Sequence, residues 1–170
     1  MAGPLRAALR DTSTLIPRIQ PGVQALSASA RESIGAELRR DFADSLALDE
    51  ALRVGNDQAR RWDYLLGYNA RSAVVGLEPH PAHTSEVSVV IEKRKAARAQ
   101  LRTHLRDGRG VDAWFWVASG KVAFVPHEKQ ITRLAQEGIQ FVGGQLKAKD
   151  LASLTGPAPT KRRTRARRTR

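Results

Sequence analysis

The sequence predicts an α/β domain, a mixed β-sheet flanked by helices, with flexible termini. Three observations carry this prediction. Two short apolar segments, WDYLLGY (62–68) and AVVGLEPH (73–80), are rich in aromatic and β-branched residues and bounded by turn signals. A longer stretch from Thr84 to about Arg106 repeats apolar residues at helical spacing. DAWFWVAS (112–119) follows as the most strand-like segment of the chain. Strands bracketing one long helix imply a sheet of about four or five strands with helices packed on it.

Residues 1–28 mix Pro4, Pro17, Pro21 and Gly22 with Ser and Thr. They read as a flexible arm with one short helix at 5–10. From Ser29 the spacing of Ile34, Leu38, Phe42, Leu46 and Leu48 reads as helix over about 24 residues, broken near Asp44 and Ser45. Asp41 and Asp44 fall on its outer side. Glu32 and Glu37 lie near its apolar stripe. Gly55-Asn56-Asp57 is a turn.

In WDYLLGY, strand alternation puts Trp62, Tyr64, Leu66 and Tyr68 on one face and Asp63, Leu65 and Gly67 on the other. Asn69–Ser72 is a hairpin loop. In the second strand Glu78 shares a face with Val74, Gly76 and His80, and Pro79 marks the strand end. The helix opens at Thr84 or Ser85, with Glu86 in its first turn. Val87, Val90, Ile91, Ala97, Leu101 and Leu105 form its buried stripe, and Arg94 and Arg98 fall inside that stripe. Trp114, Phe115 and Trp116 alternate between two faces of a buried strand. VAFVP (122–126) continues as strand after a turn. Residues 127–138 form an amphipathic helix with Ile131, Leu134 and Ala135 inward, and IQFVGGQL (139–146) is a last short strand. The single domain spans 29–147, and 148–170 is a linker and disordered basic tail.

The chain holds 170 residues, 41% of them hydrophobic, enough for one real core. It has no cysteine, which excludes disulfides and thiolate zinc sites and suits a cytoplasmic location. No apolar run approaches the roughly 20 residues of a membrane span. Net charge is +12. The last ten residues supply seven of those charges through Lys161, Arg162, Arg163, Arg165, Arg167, Arg168 and Arg170, which leaves +5 on the rest. A basic body with a basic tail implies a polyanionic partner, and nucleic acid, DNA or RNA, is the commonest. Arg94, Lys95, Arg98, Arg102 and Arg106 form a ridge suited to phosphates.

An acid on an otherwise apolar strand is costly to bury without a partner or metal. Asp63 and Glu78 each sit on such a strand. If the two strands pair in register, the two carboxylates meet, as metal-dependent phosphodiester chemistry requires. Glu78, His80 and His83 also have the spacing of a transition-metal ligand set.

The order helix, acid-bearing strand, acid-bearing strand, helix, strand resembles the restriction-endonuclease-like, or PD-(D/E)XK, nuclease superfamily. That family carries Asp at the end or bend of one strand and Glu-x-Lys on the next. The resemblance covers about residues 30–118. It implies that Asp63 and Glu78 are catalytic and hold Mg²⁺, and that His80 stands where the family has Lys. It also implies that a helical Glu, Glu37 or Glu32, joins the site, with Arg94 and Arg98 on the phosphates. Replacing Lys by His keeps a donor but changes the charge near neutral pH, and no Pro precedes Asp63. The expected function is nucleic-acid binding on a nuclease-like scaffold, with metal-dependent cleavage where the site is active. The alternative is a non-enzymatic module that binds a protein partner, its basic tail tethering it to nucleic acid.

Overall fold

A computed structural model describes residues 2–120 and 127–154. Its centre is a six-stranded mixed sheet with helices on both faces, in the order β1 (Gln20–Pro21), β2 (Phe42–Ala47), β3 (Tyr64–Tyr68), β4 (Ala73–Pro81), β5 (Ala113–Ser119) and β6 (Ile139–Phe141). Neighbours in sequence are neighbours in the sheet. β1 to β4 pair antiparallel, whereas β4, β5 and β6 pair parallel. The change of direction follows from the connections. β3 and β4 are joined by a short turn at Asn69–Arg71, closed by Ser72 in the left-handed region (φ 47°). β4 and β5 are joined by the 16-residue helix α4 (Glu86–Leu101), long enough to return the chain parallel.

Alternation along the strands builds two cores. On one face Leu65, Val74, Trp114 and Trp116 pack against α1 (Pro4–Ala8), α4 and α5 (Glu128–Gln136). On the other, Leu66, Val75, Leu77, Phe115 and Val117 pack against residues 26–38, which include α2 (Ala28–Glu32), and against α6 (Ala148–Leu151). α3 (Leu48–Ala51) follows β2 directly. The expected hairpin, the buried stripe of α4 and the alternating aromatics of β5 all appear. Trp62 departs from the alternation: it lies just before β3, in the first core, edge-on to Trp114 at 5.0 Å.

Residues 1–28, expected as an arm, are corrected: Leu5, Ala8, Leu9, Leu15 and Leu26 are buried in the cores. Residues 8–10 run beside 104–106, with Arg10 N–H donating to His104 O at 2.8 Å and Arg106 N–H to Ala8 O at 3.0 Å. α1 points its N-terminus at Asp44. The Leu5 and Arg6 amides donate to the Asp44 carboxylate at 3.1 and 2.8 Å. Burial pushes Asp44 up, and these two amides pull it back.

The helix expected over about 29–52 is also corrected. It is α2, then a loop, then strand β2, then α3. Residues Ile34, Leu38, Phe42, Leu46 and Leu48 are buried as expected, but on two faces of a sheet. A register shift between Phe42 and Asp44 turns Phe42 to one core and Leu46 to the other. Asp44 and Ser45 hold the buried positions between them, so the strand shows no apolar alternation and only a four-residue spacing that a helix shares. Asp44, expected on an outer helical side, is buried beneath α1. Of the three residues of α5 expected inward, Ile131 and Ala135 are exposed and Leu134 is buried. The boundary at 147 moves outward, because Leu151 and Leu154 complete the second core. The expected VAFVP strand (122–126), residues 155–160 of the linker and the whole basic tail lie outside the described residues. Among those described, no helix is long and apolar enough to cross a membrane.

Candidate active site

β4 carries Glu78 as the one acid in AVVGLEPHP, and its side chain is 0% exposed. The register Tyr64↔Leu77 places Asp63, just before β3, beside Glu78. The Asp63 amide donates to Glu78 Oε2 at 2.9 Å. The two carboxylates are joined by a residue from α4. Lys93 Nζ donates to Asp63 Oδ1 at 3.2 Å and to Glu78 Oε1. Its side chain is only 14% exposed. His80 lies two residues beyond Glu78 on the same face. Its Nδ1 is 3.4 Å from Glu78 Oε1, and its Nε2 is 2.5 Å from Glu86 Oε2 in the first turn of α4. Trp116 Nε1–H holds the His80 carbonyl at 3.1 Å.

The charges shift one another. Burial, and then the neighbouring Glu78 charge, push Asp63 up to about 6 against the pull of Lys93. Burial disfavours the Lys93 ammonium, but Glu78 and Asp63 together hold its pKa above the ordinary value. His80 is raised by its hydrogen bond to Glu78 and, against the cost of burial, by Glu86. Asp63 is the member of the cluster that reaches open space. It lines a cleft of about 470 Å³ with Ser27, Ser29, Glu32, Pro79 and Ser119, at the C-terminal ends of β4 and β5.

Asp63, Glu78 and His80 therefore converge as expected. Glu37 does not: it is exposed in the loop after α2, because the helix meant to present it is not formed. Glu32, the other Glu considered, is on the rim of the cleft. Arg94 and Arg98 are not beside the acids. They line a separate groove with Lys95, Arg102 and Arg106. Arg98 is exposed, outside the buried stripe where it was expected. The tail residues Lys161, Arg162, Arg163, Arg165, Arg167, Arg168 and Arg170 lie outside the described residues.

Lys93 is the member of the cluster that the sequence did not announce. Its one signal is its position, three residues after Val90 and four before Ala97, on the flank of the buried stripe. Trp114, Phe115 and Trp116 are all buried, so none offers an exposed face for base stacking. Among the described residues no group of three His, Asp or Glu side chains is placed to hold a metal ion, and His83 is exposed apart from Glu78 and His80. Asp63 and Glu78 remain as a two-carboxylate oxygen donor set. Oxygen donors of this kind suit Mg²⁺, which is commonly held by one or two carboxylates with water completing the shell, and here Lys93 bridges the pair. No protein-family model, curated protein or solved structure matches the chain.

Proposed function

We propose that this chain binds nucleic acid and cleaves phosphodiester bonds at the Asp63–Glu78–Lys93 cluster, with Mg²⁺ held by Asp63 and Glu78. One observation carries the reading: a fully buried Glu78 and a half-buried Asp63 share Lys93, and Asp63 opens onto a cleft. Burying two carboxylates together is costly, and a purely structural strand would be served by apolar residues. The order Asp63 just before β3, Glu78 on β4, α4, then β5 parallel to β4 supports the nuclease-like resemblance. So does the cation: where the family's strand has Lys, this chain has His80, and Lys93 brings an ammonium to the same Glu from the helix.

A divalent ion bound there would supply an activated water and neutralise charge on the scissile phosphate. The chain's own residues do the rest. Lys93 keeps a positive charge fixed beside Asp63. Glu78, bonded to the Asp63 amide and to Lys93, holds both in place. His80, pinned between Glu78 and Glu86, carries a proton further up the pH scale than a free histidine does.

The test is cleavage of labelled single- and double-stranded DNA and RNA by the full chain with Mg²⁺ or Mn²⁺, beside Asp63→Asn, Glu78→Gln and Lys93→Met. Metal-dependent cutting lost in all three, with circular dichroism unchanged in at least Asp63→Asn, is the expected result. Absence of cutting by the wild type on every substrate overturns the reading. A second reading rests on the completeness of the ion cluster: Lys93, His80 and Glu86 already pair with the acids. In that case the cluster pins α4 to the sheet of a non-enzymatic interaction module, with the basic tail as its tether to nucleic acid.

A further inference from the structure

A dense collection of positive charge lies away from the acid cluster. A groove of about 610 Å³ runs along the C-terminal half of α4, past the turn at 106–110, with Trp114 as its floor. Among the described residues, seven cations, six of them arginine, and one acid, Asp107, line it. Three of the cations are bonded to carboxylates: Arg10 to Asp107 at 2.8 Å, Arg106 to Asp11 at 2.8 Å and Lys95 to Glu137 at 3.7 Å. Arg94, Arg98, Arg102 and Arg109 have no carboxylate partner among the described residues. Arg94 sits over the Trp114 ring, 5.7 Å from its centroid, and its Nε is buried with no hydrogen-bond partner. Burial and the neighbouring Arg98 lower the Arg94 pKa. Uncompensated like charges held this close repel, and a bound anion relieves the repulsion.

We propose that this groove binds the phosphate backbone of a nucleic-acid strand, at a site distinct from the cleft that carries Asp63. The chemistry selects the ligand. Arg94, Arg98 and Arg102 recur every four residues, about 6 Å apart along the helix axis. They form a line of donors rather than a point that would cage one small anion. Arginine outnumbers lysine, and its planar fork suits phosphate oxygens. Among the described residues Trp114 is the one aromatic side chain that lines the groove, and at 4% exposed and covered by Arg94 it offers no open ring to a base. Contacts of this kind hold a strand without reading its sequence.

The groove and the cleft share no lining residue. They lie toward opposite ends of β5, since Trp114 is the second residue of the strand and Ala118, about 13 Å further along, is the last but one. The groove is thus an accessory strand-holding site. It stands whether or not the acid cluster cleaves.

The test is fluorescence anisotropy of a labelled 20-nucleotide oligothymidylate with the full chain, titrated in EDTA at several KCl concentrations so that no metal-dependent cleavage is read. The groove variant is Arg98→Ala/Arg102→Ala/Arg109→Ala. The control removes the same charge elsewhere through Arg18→Ala/Arg40→Ala/Arg71→Ala, three exposed arginines outside the groove. Both variants keep the basic tail, so its contribution is common to all three proteins. The expected result is binding at least tenfold weaker for the groove variant at 100 mM KCl. Its slope of log affinity against log salt should fall by about 2, at roughly 0.7 for each phosphate no longer neutralised. The control should stay within about twofold of wild type. Equal weakening in the two variants, or none in the groove variant, overturns the proposal. So does polyglutamate of equal charge displacing the oligonucleotide as well as unlabelled oligothymidylate does, since an acidic peptide would then be the better ligand.

Discussion

At Lys93, α4 carries an ammonium that is nearly buried and bonded to two carboxylates. Five residues on, the same helix carries Arg98, exposed and without a carboxylate partner among the described residues. The two positions differ by about 140° around the helix, and that difference in direction decides their chemistry. Lys93 points toward the strand ends where Asp63 and Glu78 emerge, so its charge is compensated and held rigid. Arg98 points toward the groove before β5, where cations outnumber acids. A compensated, buried charge cluster is a precise device that is hard to disturb without unfolding. An exposed, uncompensated one adds little to stability and is free to bind something else.

The largest expected effect tests the first half of this contrast. Lys93→Met leaves the Glu78 carboxylate buried next to Asp63 with no ammonium, and should destabilise the fold by about 3–5 kcal/mol. Urea denaturation at pH 7.5 measures it, and a loss below about 1 kcal/mol would show that the cluster is hydrated rather than buried. Adding Glu78→Gln should recover a good part of the loss, because the unpaired charge disappears with it.

A comparable burial without a cation is found at Asp44, where two amides of α1 are the partners. Asp44→Ala removes both acceptors and frees the N-terminus of α1, an expected cost of about 2–3 kcal/mol. Thermal melting, with proteolysis near Arg6 as the readout of α1 undocking, checks both parts. An unchanged melting temperature would mean that α1 docks through Leu5, Ala8 and Leu9 alone.

The pH dependence of stability gives a smaller effect. Folding raises Asp63 from 3.8 to about 6, so the folded chain binds that proton more tightly than the unfolded one. The stability from this group is complete below about pH 4 and is lost as pH rises through 6. Allowing for the partial exposure of Asp63, the decline should be on the order of 1–2 kcal/mol. Asp63→Asn should flatten it in urea titrations between pH 4 and 7. A slope that survives the substitution would place the titration on another group.

The smallest effect sharpens the second half of the contrast. Arg98→Ala and Arg102→Ala should each change stability by less than about 0.5 kcal/mol, since both side chains are exposed and have no carboxylate partner among the described residues. A larger loss in either, measured by the same denaturation, would make the groove arginines structural.

Much of the sheet was legible because its signals are local. The apolar runs at 64–68, 73–81 and 113–119, the turn at Asn69–Ser72 and the stripe of α4 each depend on residues a few positions apart. The pairing of Asp63 with Glu78 was legible too, since a four-residue turn fixes the register of β3 on β4. β2 was not, because the polar Asp44 and Ser45 hold its buried positions and leave no apolar alternation to read. The short helix near 5–10 was legible as α1 but its docking was not, because the Asp44 carboxylate that its amides bind lies 38 and 39 positions away.

By itself, then, the sequence determined the α/β character, the strands that carry the acids and the basic excess of the chain. Only the tertiary structure decided which charges meet. Lys93 and Arg94 are adjacent in sequence and equally basic, but one closes the acid cluster and the other lies over Trp114 in the groove. Periodicity places a residue on a flank of a helix. What waits on that flank depends on strands 15 to 30 positions away, and no local pattern records it.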